Sequence, residues 1–117
     1  MPFDRRHLYI VATRNYLDTV PETQDVNIRE EAIRNLGSLG KNEYGETIPN
    51  FIVFDPSINA VRKLEDQRRT LRIPYVGLPA KVYVKLDDYG SAEELSRHVG
   101  YKVNTQFVVT FMMAEDY

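Results

Sequence analysis

No cysteine occurs anywhere in the chain, which excludes disulfides, thiolate nucleophiles, Cys-based zinc sites and Cys-held iron–sulfur clusters together. Packing alone must hold the fold. Histidine is scarce: His7 and His98 fall in separate elements, too sparse for a metal centre without thiolates. The longest nearly apolar run, residues 107–114, is far short of the roughly 20 residues a membrane-crossing helix needs. The first fourteen residues carry Asp4 and no cleavage-like end. The expectation is a soluble protein, cytoplasmic or in a virion, neither membrane-spanning nor secreted through a cleaved signal. Repeats, low-complexity tracts and linkers are missing too, and proline and glycine are scattered as punctuation between elements.

What is present has the composition of a globular protein. Apolar residues make up 43% and charged residues 27% of the 117 positions, enough for a core and about the length of one domain. The expected organisation is a single α+β domain over residues 1–117.

Local patterning supplies the elements. Residues 8–14 alternate Leu8, Ile10 and Ala12 against Tyr9, Val11 and Thr13; both faces are largely apolar, which predicts a central strand. Asn27 followed by Glu30 predicts a helix start, with Ile28, Ala32, Leu36 and Leu39 on one stripe and Gly37 closing it. Residues 51–54, between Pro49 and Pro56, read as a short buried strand. Ser57 followed by Ile58, Val61 and Leu64 fits a capped helix, and a strand equally. Residues 70–76 alternate but contain Pro74, which cannot donate to a ladder and so predicts an edge strand. Residues 80–86 alternate cleanly, with Val82, Val84 and Leu86 inward and Lys81, Tyr83 and Lys85 outward. Ser91 with Glu94 forms a second capping pattern, and Gly100 ends that helix. Residues 102–114 predict the longest strand. The sum is a mostly antiparallel or mixed sheet of about five strands with two or three short helices. A ferredoxin-like arrangement with an insertion is the first choice, and a partly open barrel flanked by helices the second.

Familiar catalytic motifs fail at named residues. None of Ser38, Ser57, Ser91 and Ser96 lies in a G-x-S-x-G elbow. The glycines and lysine of residues 37–42 suggest a phosphate loop, but Asn35 stands where its first glycine belongs, Asn42 replaces the final Ser or Thr, and a helix precedes it. The carboxylate pairs Asp87–Asp88, Glu93–Glu94 and Glu115–Asp116 are adjacent, and neighbouring strand residues point to opposite faces. Helix-dipole interactions account for Asp87, Asp88, Glu93 and Glu94. His98 falls in the last turn of a predicted helix, where an imidazolium meets the carbonyl end. An enzyme would need a site assembled at a subunit interface from carboxylates such as Asp55. No catalytic, cofactor-binding or metal residues are assigned, and no cofactor is expected.

The net charge of −2 is unevenly laid out. Residues 61–85 carry seven basic and two acidic groups, whereas 1–60 carry six and nine and 86–117 carry two and six. Such segregation suits an anionic partner or the acidic patches of neighbouring copies. The candidate partner-binding residues are Arg62, Lys63, Arg68, Arg69, Arg72, Tyr75, Lys81, Tyr83 and Lys85. Cations beside exposed aromatics are also what single-stranded nucleic-acid binding uses. Leu8-Tyr9-Ile10-Val11 resembles the first-strand signature of RNA-recognition motifs, but no stretch matches the second signature, a Gly-aromatic-Gly/Ala-Phe core, so that family is not carried over. With eight tyrosines available for interfaces, the leading expectation is a non-enzymatic structural, assembly or adaptor protein of a multi-subunit complex, such as a small virion or tail component. Its partners would be other proteins or copies of itself in an oligomer; a single-stranded nucleic-acid binding or regulatory module is the alternative.

Overall fold

A computed structural model describes residues 8–57, 63–65 and 68–117. Its elements run β1 (Tyr9–Ala12), α1 (Arg14–Thr19), α2 (Glu22–Asn35), β2 (Gly40–Lys41), β3 (Thr47–Ile48), β4 (Phe51–Asp55), β5 (Lys63–Glu65), β6 (Thr70–Pro74), β7 (Val82–Asp88), α3 (Ala92–Val99) and β8 (Phe107–Met113), with a final 3-10 turn over Ala114–Asp116. Six strands form one mixed sheet in the order β1-β8-β7-β4-β6-β5, and β2 pairs with β3 in a separate hairpin. The architecture is α+β, as the patterning predicts.

The strand order differs from the ferredoxin-like expectation. That arrangement needs a strand between β7 and β8, yet these two pair directly and antiparallel from Val82↔Met113 to Asp88↔Phe107. β1 is displaced to the edge beside β8, parallel to it. The expected central strand is therefore an edge strand, with Ile10 and Val11 exposed. The proline-bearing segment differs in the opposite sense, since β6 lies between β4 and β5. Pro74 is its last residue, where a missing donor interrupts no ladder.

One side of the sheet carries the main core. Ile52, Phe54, Leu71, Ile73, Val82, Val84, Leu86, Val109, Phe111 and Met113 cluster with Tyr16 of α1 and Ile28 and Ala32 of α2. The period-2 alternation of β4, β6 and β7 produces this face directly. α2 begins at Glu22, earlier than Asn27. Its added first turn is polar, with Glu22 and Asp25 at the positive end of the helix dipole. Leu39 lies beyond the helix and is exposed. α1 has no counterpart in the predicted elements: the Thr13 side chain accepts from Tyr16 N at 3.2 Å, and Tyr16 is fully buried against Phe111.

α3 follows its sequence signals closely. The Ser91 hydroxyl accepts from Glu94 N at 3.1 Å, and Gly100 closes the helix at φ 86°, a conformation glycine adopts at little cost. The segment after Ser57 is strand over Lys63–Glu65. Ser57 itself binds back to Asp55; residues 58–62 and 66–67 lie outside the described residues.

Candidate functional site

The predicted basic set is divided among several settings. Arg62 lies outside the described residues, and Lys63 is placed on β5 by its backbone. Direct cross-strand partners share a face, so the pairings Val53↔Arg72, Val53↔Tyr83 and Phe51↔Lys85 put Arg72, Tyr83 and Lys85 on the side of the sheet opposite the main core. Tyr75 goes the other way, packing its ring edge-on against core Phe54 at 6.0 Å. Tyr75 and Tyr83 therefore make no common stacking surface.

Most of the described cations face carboxylates of this same chain. Arg69 lies 3.5 Å from Glu46, and Lys85 lies 3.5 Å from Asp87. Arg72 and Lys81 both approach Asp55 Oδ2 at 3.8 Å. Arg68 is exposed and makes no ion pair among the described residues. Its backbone φ is 71°, the one left-handed non-glycine residue among those described. The basic segment is thus largely neutralised by acids from β4, β7 and the β2–β3 hairpin.

Asp55 is the buried centre of this arrangement, only 2% exposed. It accepts from Ser57 N at 2.8 Å and from Ser57 Oγ at 2.6 Å. Burial by itself raises a carboxyl pKa, but the two Ser57 bonds and the charges of Lys81 and Arg72 outweigh it and hold Asp55 below its ordinary value. With both Ser57 bonds on Oδ1 and both cations near Oδ2, the group is well suited to fixing the β4 end.

Beside Lys85 stands an aromatic cluster that patterning alone did not single out. Phe51, Tyr83 and Tyr117 meet edge-on with ring centroids 5.2 to 5.7 Å apart. Lys85 Nζ sits 6.0 Å from the centre of the Tyr117 ring. The 3-10 turn brings Tyr117 there, and Asp116 helps hold it by accepting from Thr13 Oγ1 at 2.8 Å and Met113 N at 3.1 Å. Phe51 and Tyr83 carried a signal in their paired strands; Tyr117 carried none, because only the turn returns it to the sheet.

The remaining candidates are dispersed. His98 is exposed and packs its ring against Tyr89 at 5.0 Å. Among the described residues no group of three or more His, Cys, Asp or Glu could hold a metal ion. No described helix is long and apolar enough to cross a membrane. Comparison with family models, with curated proteins and with solved structures finds no match.

Proposed function

We propose that this chain is a non-enzymatic assembly or adaptor component, a virion or tail part being one such setting, and that the outer edge of β1 is its contact strand. The observation that carries the reading is the edge itself. Tyr9–Ala12 pairs with β8 on one side and with no described strand on the other. Ile10 is 43% and Val11 37% exposed. An apolar edge without charge or proline is a template for strand addition, which proteins otherwise blunt with lysine or proline. Its four residues carry no charge, so two copies can pair antiparallel without like-charge opposition, and a second copy is the simplest partner.

Light scattering on the purified chain tests this reading. A dimer or larger assembly is expected, converted to monomer by Val11→Lys without loss of the folded state, since the side chain is already exposed. A monodisperse wild-type monomer that retains no partner from its native source overturns it. Nucleic-acid binding is the second reading, favoured by Phe51, Tyr83 and Tyr117 beside Lys85. The intramolecular pairing of Arg69, Arg72, Lys81 and Lys85 supports it less, since each phosphate contact must displace a carboxylate. Oligonucleotide affinity that falls steeply with salt is its signature.

A further inference from the structure

Where the β2–β3 hairpin meets the ends of β4, β6 and β7, the surface forms a groove of about 780 Å³. That lies within the roughly 300–1,000 Å³ of small-ligand sites. Phe51 and Tyr117 supply aromatic wall, and Thr47, Arg69, Lys85 and Asp88 supply polar groups. We infer that this groove receives an arginine side chain presented by a peptide segment, its guanidinium lying against the rings and hydrogen-bonding to Asp88 and Thr47.

An open carboxylate oxygen, together with an unpartnered hydroxyl that can accept as well as donate, suits a donor-bearing ligand. Thr47 is 5% exposed, and its Oγ1 is buried with no hydrogen-bond partner among the described residues. Asp88 receives Gly90 N at 2.8 Å and Gln106 Nε2 at 2.9 Å, both on Oδ1. Oδ2 is left open. The charge balance sets the sign. Arg69 and Lys85 are each matched by a lining acid, Glu46 and Asp87 respectively, and Asp88 is the lining acid without a cation among the described residues. An anionic ligand would meet paired cations and one surplus carboxylate, whereas a cationic ligand completes the set.

The rings select among cations. A guanidinium is planar, stacks on aromatic faces, presents several N–H donors in a rigid fork and is more weakly hydrated than an ammonium. The groove's volume exceeds what one guanidinium fills, so the group arrives on a chain whose neighbouring backbone occupies the rest. This inference stands apart from the β1 edge, which shares no residue with the groove.

Titration of the ¹⁵N-labelled Val11→Lys chain, followed by amide shifts, tests the site whatever the state of assembly. The probes are acetyl-Gly-Arg-Gly-amide, its lysine counterpart, agmatine and adenosine monophosphate. Saturable shifts at Gly45, Thr47 and Gly90 with the arginine peptide are expected, with the lysine peptide and agmatine binding more weakly. Asp88→Asn is expected to weaken binding about tenfold or more, the loss of one charge-assisted bond. Thr47→Val is expected to weaken binding while raising the Tm, because it removes an unpartnered buried hydroxyl; a purely structural Thr47 would not move the two in opposite senses. No saturable shift, unchanged affinity in both variants, or tighter binding of the nucleotide overturns the inference. Agmatine binding as tightly as the peptide overturns its peptide part.

Discussion

The Tyr16 hydroxyl donates to Asp25 Oδ1 at 2.5 Å, and Arg29 Nε donates to the same oxygen at 2.7 Å. This bond ties α1 to the first turn of α2, and Arg29 lies 5.1 Å from the centre of the Phe111 ring on β8. One buried phenol thereby joins both helices to the sheet. Burial first, and the bond and charge of Asp25 next, raise the Tyr16 pKa far above its ordinary value of 10.0. The native state keeps this proton where the unfolded chain has lost it. The contribution to stability is therefore complete below pH 10 and declines as the pH climbs from there toward the folded value, by about 1.4 kcal/mol per pH unit. Tyr16→Phe is expected to cost about 1–3 kcal/mol at pH 7 and to flatten that alkaline decline. Urea unfolding between pH 7 and 11 measures both.

Asp55 provides the acid-side counterpart. Its carboxyl lies below its ordinary value of 3.8 in the folded state, so its contribution is present above pH 4 and lost as the pH falls through the folded value. Arg72 and Lys81 are 34% and 45% exposed, and solvent screening makes their two pairs weak. Most of the effect should come from the Ser57 bonds. Asp55→Asn is expected to cost about 1–3 kcal/mol at pH 7, and the gap to wild type should narrow below pH 4. Denaturant midpoints at pH 7 and pH 3 check this; an equal gap at both would mean that the ionised carboxylate contributes nothing.

These two groups also mark where sequence reading stops. The faces of β4 and β7 and the caps of α3 were legible because period-2 alternation, Ser91 and Gly100 act within a few residues. The position of β1 was not. Apolar residues on both sides of a strand report how its faces are covered, whereas edge or centre depends on where β8 pairs, about a hundred residues away. Pro74 misled for a related reason: its missing donor matters only inside a ladder, and it stands at a ladder's end. α1 was hidden because only Tyr16 of its six residues is buried. The basic run was plain as charge, but Glu46, Asp55 and Asp87 reach it only through strand pairing and the hairpin. Of the groove acceptors, Asp88 read only as a carboxylate near a helix start, and Thr47 carried no signal, since an unpartnered hydroxyl is visible only when its surroundings are known.

Arg68 holds a left-handed backbone at φ 71° just before β6, a conformation that costs a side-chain-bearing residue about 1 kcal/mol relative to glycine. The side chain is exposed and unpaired among the described residues, and none of these offsets that strain. Arg68→Gly is expected to raise stability by up to about 1 kcal/mol, reduced somewhat by glycine's larger unfolded-state entropy. The same change is expected to leave the groove titration unaltered. A lower Tm for the variant would show that the arginine makes a contact in the native state that outweighs its backbone cost.

α3 offers the sharpest local test. Eight residues are too few for an isolated helix, so this one depends on its ends and its packing. Ser91 caps the start, Gly100 the finish, and the Ser96 hydroxyl donates to Ala92 O at 2.8 Å while accepting from Val103 N at 2.9 Å. Leu95 is the only fully buried residue of the helix. It lies outside the main core cluster, so its removal should act on the helix and the segment behind it before it acts on the sheet. Leu95→Ala is expected to cost about 2–5 kcal/mol, against about 1 kcal/mol for Ser91→Ala. In hydrogen exchange, Leu95→Ala should lose protection through residues 92–103 while β4 and β7 amides fall only with global stability. Uniform loss across the sheet would place Leu95 in the same cooperative unit as Phe111 and Tyr16, and α3 would then be an integral part of the core.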